Sequence, residues 1–102
     1  MAEQSYSSDD WPFEDDPSTP AFTTNHAILE LNPIVHVVRT ADGDWQFLSA
    51  EGADDSALKI VSIKTILSRH PDISQIGDLQ LGWEAWRSNK DSPWSRRRVV
   101  GR

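Results

Sequence analysis

The stretch "PIVHVVRTADGDWQFLSA", residues 33–50, has the clearest structural pattern in the chain. Two runs rich in β-branched and aromatic residues flank a segment containing Asp42-Gly43, a pair that favours tight hairpin turns. Trp45 and Phe47 are two positions apart, so they share one face of the second strand. The first run is apolar on both of its faces, which is typical of a central strand. The stretch therefore predicts a β-hairpin at the centre of the fold.

Downstream of this hairpin, the periodicity of the apolar residues changes from that of a strand to that of a helix. The run "ALKIVSI", residues 57–63, predicts a further strand. Ile63, Ile66, Leu67 and His70 then recur at helical spacing, which predicts a helix over 63–70 that Pro71 ends. We expect a short turn over 72–76 before Gly77.

Upstream of the hairpin, "PAFTTNHAILELNP" predicts a short strand near 21–24 followed by a helix. Thr24 or Asn25 would cap a two-turn helix in which Ile28 and Leu31 share a face. Together these elements predict an α+β fold, a small and mostly antiparallel sheet of three to four strands. The hairpin would be central, with the helices packed on one face.

The chain of 102 residues is long enough for one domain. Residues 1–18 are rich in Ser, Asp, Glu and Pro, which predicts a disordered acidic lead. Within it, Trp11 and Phe13 dock either on a partner or on the chain's own domain. We expect the α+β domain to span 19–94 and a basic tail to span 95–102.

Charge and composition exclude several classes of function. The net charge of −6 argues against general nucleic-acid binding, which requires a basic surface. The absence of cysteine excludes disulfides, thiolate catalysis and cysteine zinc sites, and fits a reducing cytoplasm. The acidic start has no apolar signal region, and no run is long enough to span a membrane. We expect a cytoplasmic monomer.

The sequence contains no recognisable catalytic constellation. His26, His36 and His70 fall on different predicted elements without a metal-binding spacing, so we expect neither a metal nor another cofactor. No phosphate-binding glycine loop and no nucleophile elbow is present. His36 is the only plausible acid-base group, and a histidine without a paired nucleophile identifies no reaction.

Three of the five tryptophans lie in "LGWEAWRSNKDSPW", residues 81–94. Trp83 and Trp86 would share a face in a helix and point to opposite faces in a strand. We expect Trp45 and Trp83 to cover the core, because tryptophan buries a large area. Trp86 and Trp94 have polar neighbours, which leaves both burial and exposure open.

The chain resembles a family of small, largely uncharacterised bacterial proteins, some of which are assigned as immunity proteins of polymorphic toxin systems. The resemblance covers residues 20–87 and is carried by a Gly-x-Trp-x-Phe strand, a strand-helix unit ending in His-Pro, and a glycine turn followed by an arginine. These positions are Gly43, Trp45, Phe47, His70-Pro71, Gly82 and Arg87.

The resemblance and the absence of a catalytic constellation predict a non-catalytic protein-binding module that binds and neutralises a protein partner. Under the resemblance, that partner would be a cognate toxin domain. The candidate partner-binding residues are aromatic, basic and acidic side chains in polar segments: Trp86, Arg87, Trp94, Glu51, Asp54 and Asp55. The alternative is a small-ligand-binding or hydrolytic enzyme that uses His36 in a pocket between sheet and helix.

Overall fold

A computed structural model describes residues 11–52 and 57–99. Six strands form one sheet: β1 (Pro20–Thr24), β2 (Ile34–Arg39), β3 (Trp45–Ser49), β4 (Leu58–Ser62), β5 (Trp83–Trp86) and β6 (Ser95–Arg98). The helical elements are α1 (Asn25–Ile28), α2 (Ile63–Arg69) and a 3-10 helix (Pro71–Ile76). No helix in the described ranges is long and apolar enough to cross a membrane.

The strand order is β4-β1-β3-β2-β5-β6. β1 pairs with β3 in parallel, and every other neighbouring pair is antiparallel. The sequence-based prediction of the fold, a mostly antiparallel sheet of three to four strands with helices packed on one face, is therefore wrong. The sheet is mixed and wider, because β1 lies between β3 and β4, while β5 and β6 extend the other side. The helices are too short to form a full layer.

The predicted hairpin is β2 and β3, at the centre of the sheet. Its turn closes when the Gly43 amide donates to the Thr40 carbonyl oxygen at 2.9 Å. Gly43 has a φ of 99°, a region that favours glycine. The residue pair that predicted the turn thus supplies the backbone conformation that the turn requires.

The helix predicted over 63–70 is α2, which begins after Ser62 and ends before Pro71. The Ser62 hydroxyl accepts a hydrogen bond from the Thr65 amide and caps the helix. The predicted two-turn helix after Thr24 is shorter than expected, since α1 has a single turn. The chain leaves it through Leu31, which has a φ of 58° and does not share a buried face with Ile28.

One face of the sheet, called the core face, carries the hydrophobic core. Trp45 and Phe47 of β3 are fully buried there and stack with their ring centroids 5.5 Å apart. The helical elements contribute a set of fully buried isoleucines to the same core: Ile63, Ile66, Ile73 and Ile76. The face predicted for Trp45 and Phe47 is therefore the buried one.

Residues 11–19, called the N-terminal strap, pack against this core. Phe13 is only 5% exposed and meets Trp45 edge-on at 5.1 Å between centroids. Arg39 of β2 donates to carboxylates of Glu14 and Asp15. Of the two alternatives for the aromatic pair in the acidic lead, the structure shows docking on the chain's own domain. Residues 1–10 lie outside the described residues.

Residues 95–98, assigned to a basic tail from their charge, form β6 against β5. Arg96 points to the core face and donates to Asp78 at 2.8 Å and to the Gln75 carbonyl oxygen at 2.9 Å. A strand pairs through its backbone, so arginine side chains do not prevent pairing at the edge of a sheet.

Candidate functional site

The face of the sheet opposite the core, called the open face, carries four exposed large apolar side chains: Phe22, Leu58, Ile60 and Trp86. Side chains directly opposite one another in paired strands lie on the same face, so the registers define its rows. One row crosses all six strands: Ile60, Phe22, Gln46, Val38, Glu84 and Arg97. The next runs parallel to it: Leu58, Thr24, Leu48, His36, Trp86 and Ser95.

The β4 end of the open face is apolar. Phe22, Leu58 and Ile60 are 37%, 45% and 63% exposed, although large apolar side chains usually avoid water. With Gln46 and Leu48, Phe22 and Leu58 line a shallow depression of about 260 Å³. We call the three exposed side chains the apolar band. Such adjacent apolar residues are typical of interaction sites.

The β5 end of the open face is a polar cluster built around an exposed tryptophan. Trp86 is 38% exposed, and the Arg97 guanidinium lies 5.0 Å from its ring centroid. Glu84 connects Arg97 with His36, because it accepts hydrogen bonds from Arg97 Nε at 2.6 Å and from His36 Nε2 at 2.8 Å. We call these four residues the Trp86 cluster; they line a depression of about 320 Å³.

Within the Trp86 cluster, the Glu84 carboxylate is hydrogen-bonded to both His36 and Arg97. The hydrogen bond from His36, followed by that from Arg97, holds the pKa of Glu84 below its ordinary value. Because an ionised carboxylate only accepts hydrogen bonds, His36 must donate from Nε2. The two hydroxyl residues in this row, Thr24 and Ser95, each lie two strands from His36, about 10 Å away. The cluster therefore holds no nucleophile paired with this histidine.

The structure places two of the predicted partner-binding residues, Arg87 and Trp94, in one internal contact. The Arg87 guanidinium lies 4.2 Å from the Trp94 ring centroid. Arg87 also donates to the Ile34 carbonyl oxygen at 2.8 and 3.1 Å and pairs with Asp72. Its side chain is 1% exposed, so this residue organises the fold at the end of β5 and is not accessible to a partner.

Glu51, the predicted acidic residue within the described ranges, is not part of the open face. Glu51 follows β3 in a loop, where it accepts hydrogen bonds from Ser49 and from Asn32. The hydrogen bond from Ser49 is the main cause that lowers the pKa of Glu51. Asp54 and Asp55 lie outside the described residues. Of the six predicted residues, Trp86 is the one that the structure places on the open face.

The alternative site, a pocket between sheet and helix containing His36, does not match the geometry. His36 lies on the open face, whereas α2 packs against the core face. The three histidines are engaged separately, His26 with Glu30 and His70 with the Ala27 carbonyl oxygen. Within residues 11–52 and 57–99, no three metal-binding side chains are grouped closely enough to hold an ion.

Sequence reasoning missed most of the open face. Phe22 and Ile60 are apolar residues of predicted strands, and their sequence context does not indicate that they are exposed. The sequence predicts a tail at residues 95–98, so it does not predict that Arg97 meets Glu84. Alternation in "WEAW" is the one local signal, since it places Glu84 and Trp86 on the face opposite Ala85. Which face is covered depends on elements distant in sequence.

Comparisons with known proteins assign the chain to no group. No protein-family model matches it. No curated protein and no solved structure shows significant similarity to it.

Proposed function

We propose that this protein is a non-catalytic module that binds a protein partner through the open face of its sheet. The observation that carries the proposal is that the exposed apolar band and the Trp86 cluster lie on the same face of the sheet. An exposed apolar band together with an exposed tryptophan and arginine has the composition of protein interfaces. The resemblance to immunity-type proteins supports a partner that is neutralised on binding, such as a toxin domain.

The charge distribution supports separate roles for the open face and the remaining surface. Glu84 and Arg97 neutralise each other within the Trp86 cluster, so contacts there depend mainly on apolar and stacking interactions. The net charge of −6 lies largely elsewhere and would accelerate encounter with a basic partner. Affinity would then be set mostly by dissociation from the open face.

Co-expression with the product of the adjacent gene tests this proposal. The expected result is rescue of growth and co-purification of the two proteins. Trp86→Ala and Phe22→Asp should each weaken the complex about tenfold or more, because they alter exposed side chains on the open face. Leu81→Asp is the control, since Leu81 is also an exposed apolar side chain but lies outside both rows of the open face.

Unfolding midpoints of the variants separate loss of binding from loss of fold. If Leu81→Asp weakens the complex as much as Trp86→Ala and Phe22→Asp do, the interface is not on the open face. Failure of both rescue and co-purification, together with turnover of a small molecule that His36→Ala abolishes, would favour the enzyme alternative.

A further inference from the structure

The two edges of the sheet differ in a way that points to self-association. β4 and β6 are the outermost strands, and no further strand lies beyond either in the described parts of the chain. Residues 96–98 of β6 are all arginine, whereas β4 presents exposed Leu58 and Ile60 around a single Lys59. An exposed apolar edge strand is a template for pairing with another strand.

The backbone groups of β4 that face outward follow from its pairing with β1. The Ile63 amide donates to the Thr19 carbonyl oxygen at 2.9 Å. Hydrogen-bonded and non-bonded positions alternate along an antiparallel pair, so Val61 and Lys59 point their backbone groups toward β1. Ile60 therefore presents its amide and carbonyl groups to the outside of the sheet.

We propose that β4 pairs with β4 of a second copy of this chain, antiparallel and centred on Ile60. The two copies of Ile60 exchange backbone hydrogen bonds across a two-fold axis. In this register Lys59 lies opposite Val61 of the second copy, so the two lysines do not face each other. The sheets join into one continuous sheet, and the apolar bands become neighbours on one face.

The same arrangement is unfavourable at the other edge. Because residues 96–98 are consecutive arginines, antiparallel pairing of β6 with its own copy places arginine opposite arginine. The charge pattern thus selects β4 for self-pairing. This inference concerns the edge of the sheet and does not depend on the proposed partner of the open face.

The expected dimer is reversible and weak. Each strand has five residues and is roughly 17 Å long, so edge pairing buries far less than the ~800 Å² per partner of a stable interface. The sequence predicts a monomer. We expect instead a monomer-dimer equilibrium with a dissociation constant between about 10 µM and 1 mM.

Charge reversal at the two-fold axis tests the proposal. Ile60→Lys and Ile60→Glu should each weaken self-association roughly tenfold, because each places like charges directly opposite one another. An equimolar mixture of the two variants should form a heterodimer at least as strong as the wild-type dimer. Leu29→Lys is the matched control, since Leu29 is also highly exposed but lies outside the sheet.

Sedimentation equilibrium of the full chain is the measurement, with urea midpoints to show that each variant is folded. A wild-type protein that stays monomeric up to about 1 mM would overturn the proposal. The proposal would also be overturned if the mixture of Ile60→Lys and Ile60→Glu does not associate, since wild-type association would then use another surface. Weak association of each variant by itself and restored association in the mixture support pairing at Ile60.

Discussion

Replacing Gly77 with alanine tests whether the N-terminal strap is an integral part of the domain. Gly77 follows the 3-10 helix with φ −63° and ψ −21°, a conformation open to any residue. An added Cβ would lie 2.3 Å from the Pro12 carbonyl oxygen and 2.8 Å from its carbonyl carbon. Both are backbone atoms, so the strap must move when alanine is introduced.

The expected cost follows from what the strap buries. Displacement at Pro12 withdraws the adjacent Phe13, and full burial of such a side chain contributes about 1.5–3 kcal/mol. Replacing glycine by alanine also restricts the unfolded chain, which offsets about 0.4–1 kcal/mol. We therefore expect Gly77→Ala to lower the free energy of unfolding by about 1–2 kcal/mol.

The same change should cost much less when Phe13 is already absent. In Phe13→Ala the strap has lost its main apolar anchor and moves away from Gly77 readily. We expect the cost of Gly77→Ala to fall within about 0.5 kcal/mol of zero in that background. Phe13→Leu replaces Phe13→Ala in the cycle if the alanine variant is too unstable to measure.

Urea unfolding of the four proteins in this double-mutant cycle is the assay, followed by far-ultraviolet circular dichroism. Ser74→Ala is the control, because Ser74 is exposed on the same 3-10 helix and should change stability by less than about 0.5 kcal/mol. Equal costs of Gly77→Ala in both backgrounds would refute the reasoning, since the strap would then not be what the new methyl group displaces.

Three further predictions test other parts of the structure. Trp45→Ala should destabilise the fold by about 3–5 kcal/mol in urea melts, because Trp45 is fully buried; a loss below about 1 kcal/mol would place it at the surface. Arg87→Met should cost about 3–5 kcal/mol by leaving Asp72 and a buried carbonyl unpaired, whereas exposed Arg97→Met should cost less than about 1; equal costs would contradict the burial of Arg87. The folded pKa of Glu84 is lowered, so its stabilising effect is present above the unfolded pKa and is lost as pH falls below about 4.5 through the folded value. Urea midpoints at pH 7 and pH 3.5 should therefore differ less in Glu84→Gln than in the wild type, and an unchanged difference would exclude this role.

Local patterns in the sequence determined several elements of this protein. The Asp42-Gly43 pair between two β-rich runs specified the central hairpin, since the turn chemistry and strand periodicity act over a few residues. The change of apolar spacing at Ile63 and the following Pro71 specified the limits of α2. The alternation at Trp45 and Phe47 specified which aromatic side chains of β3 share the core face.

Only the tertiary structure decided how these elements combine. β1 joins β3 in parallel, Phe13 enters the core, and residues 95–98 become an edge strand. Each depends on contacts between segments distant along the chain, for which neither periodicity nor composition carries a signal. The candidate site follows the same rule, because side-chain alternation defines two faces of a sheet. The helices and strap then determine which face remains exposed to solvent.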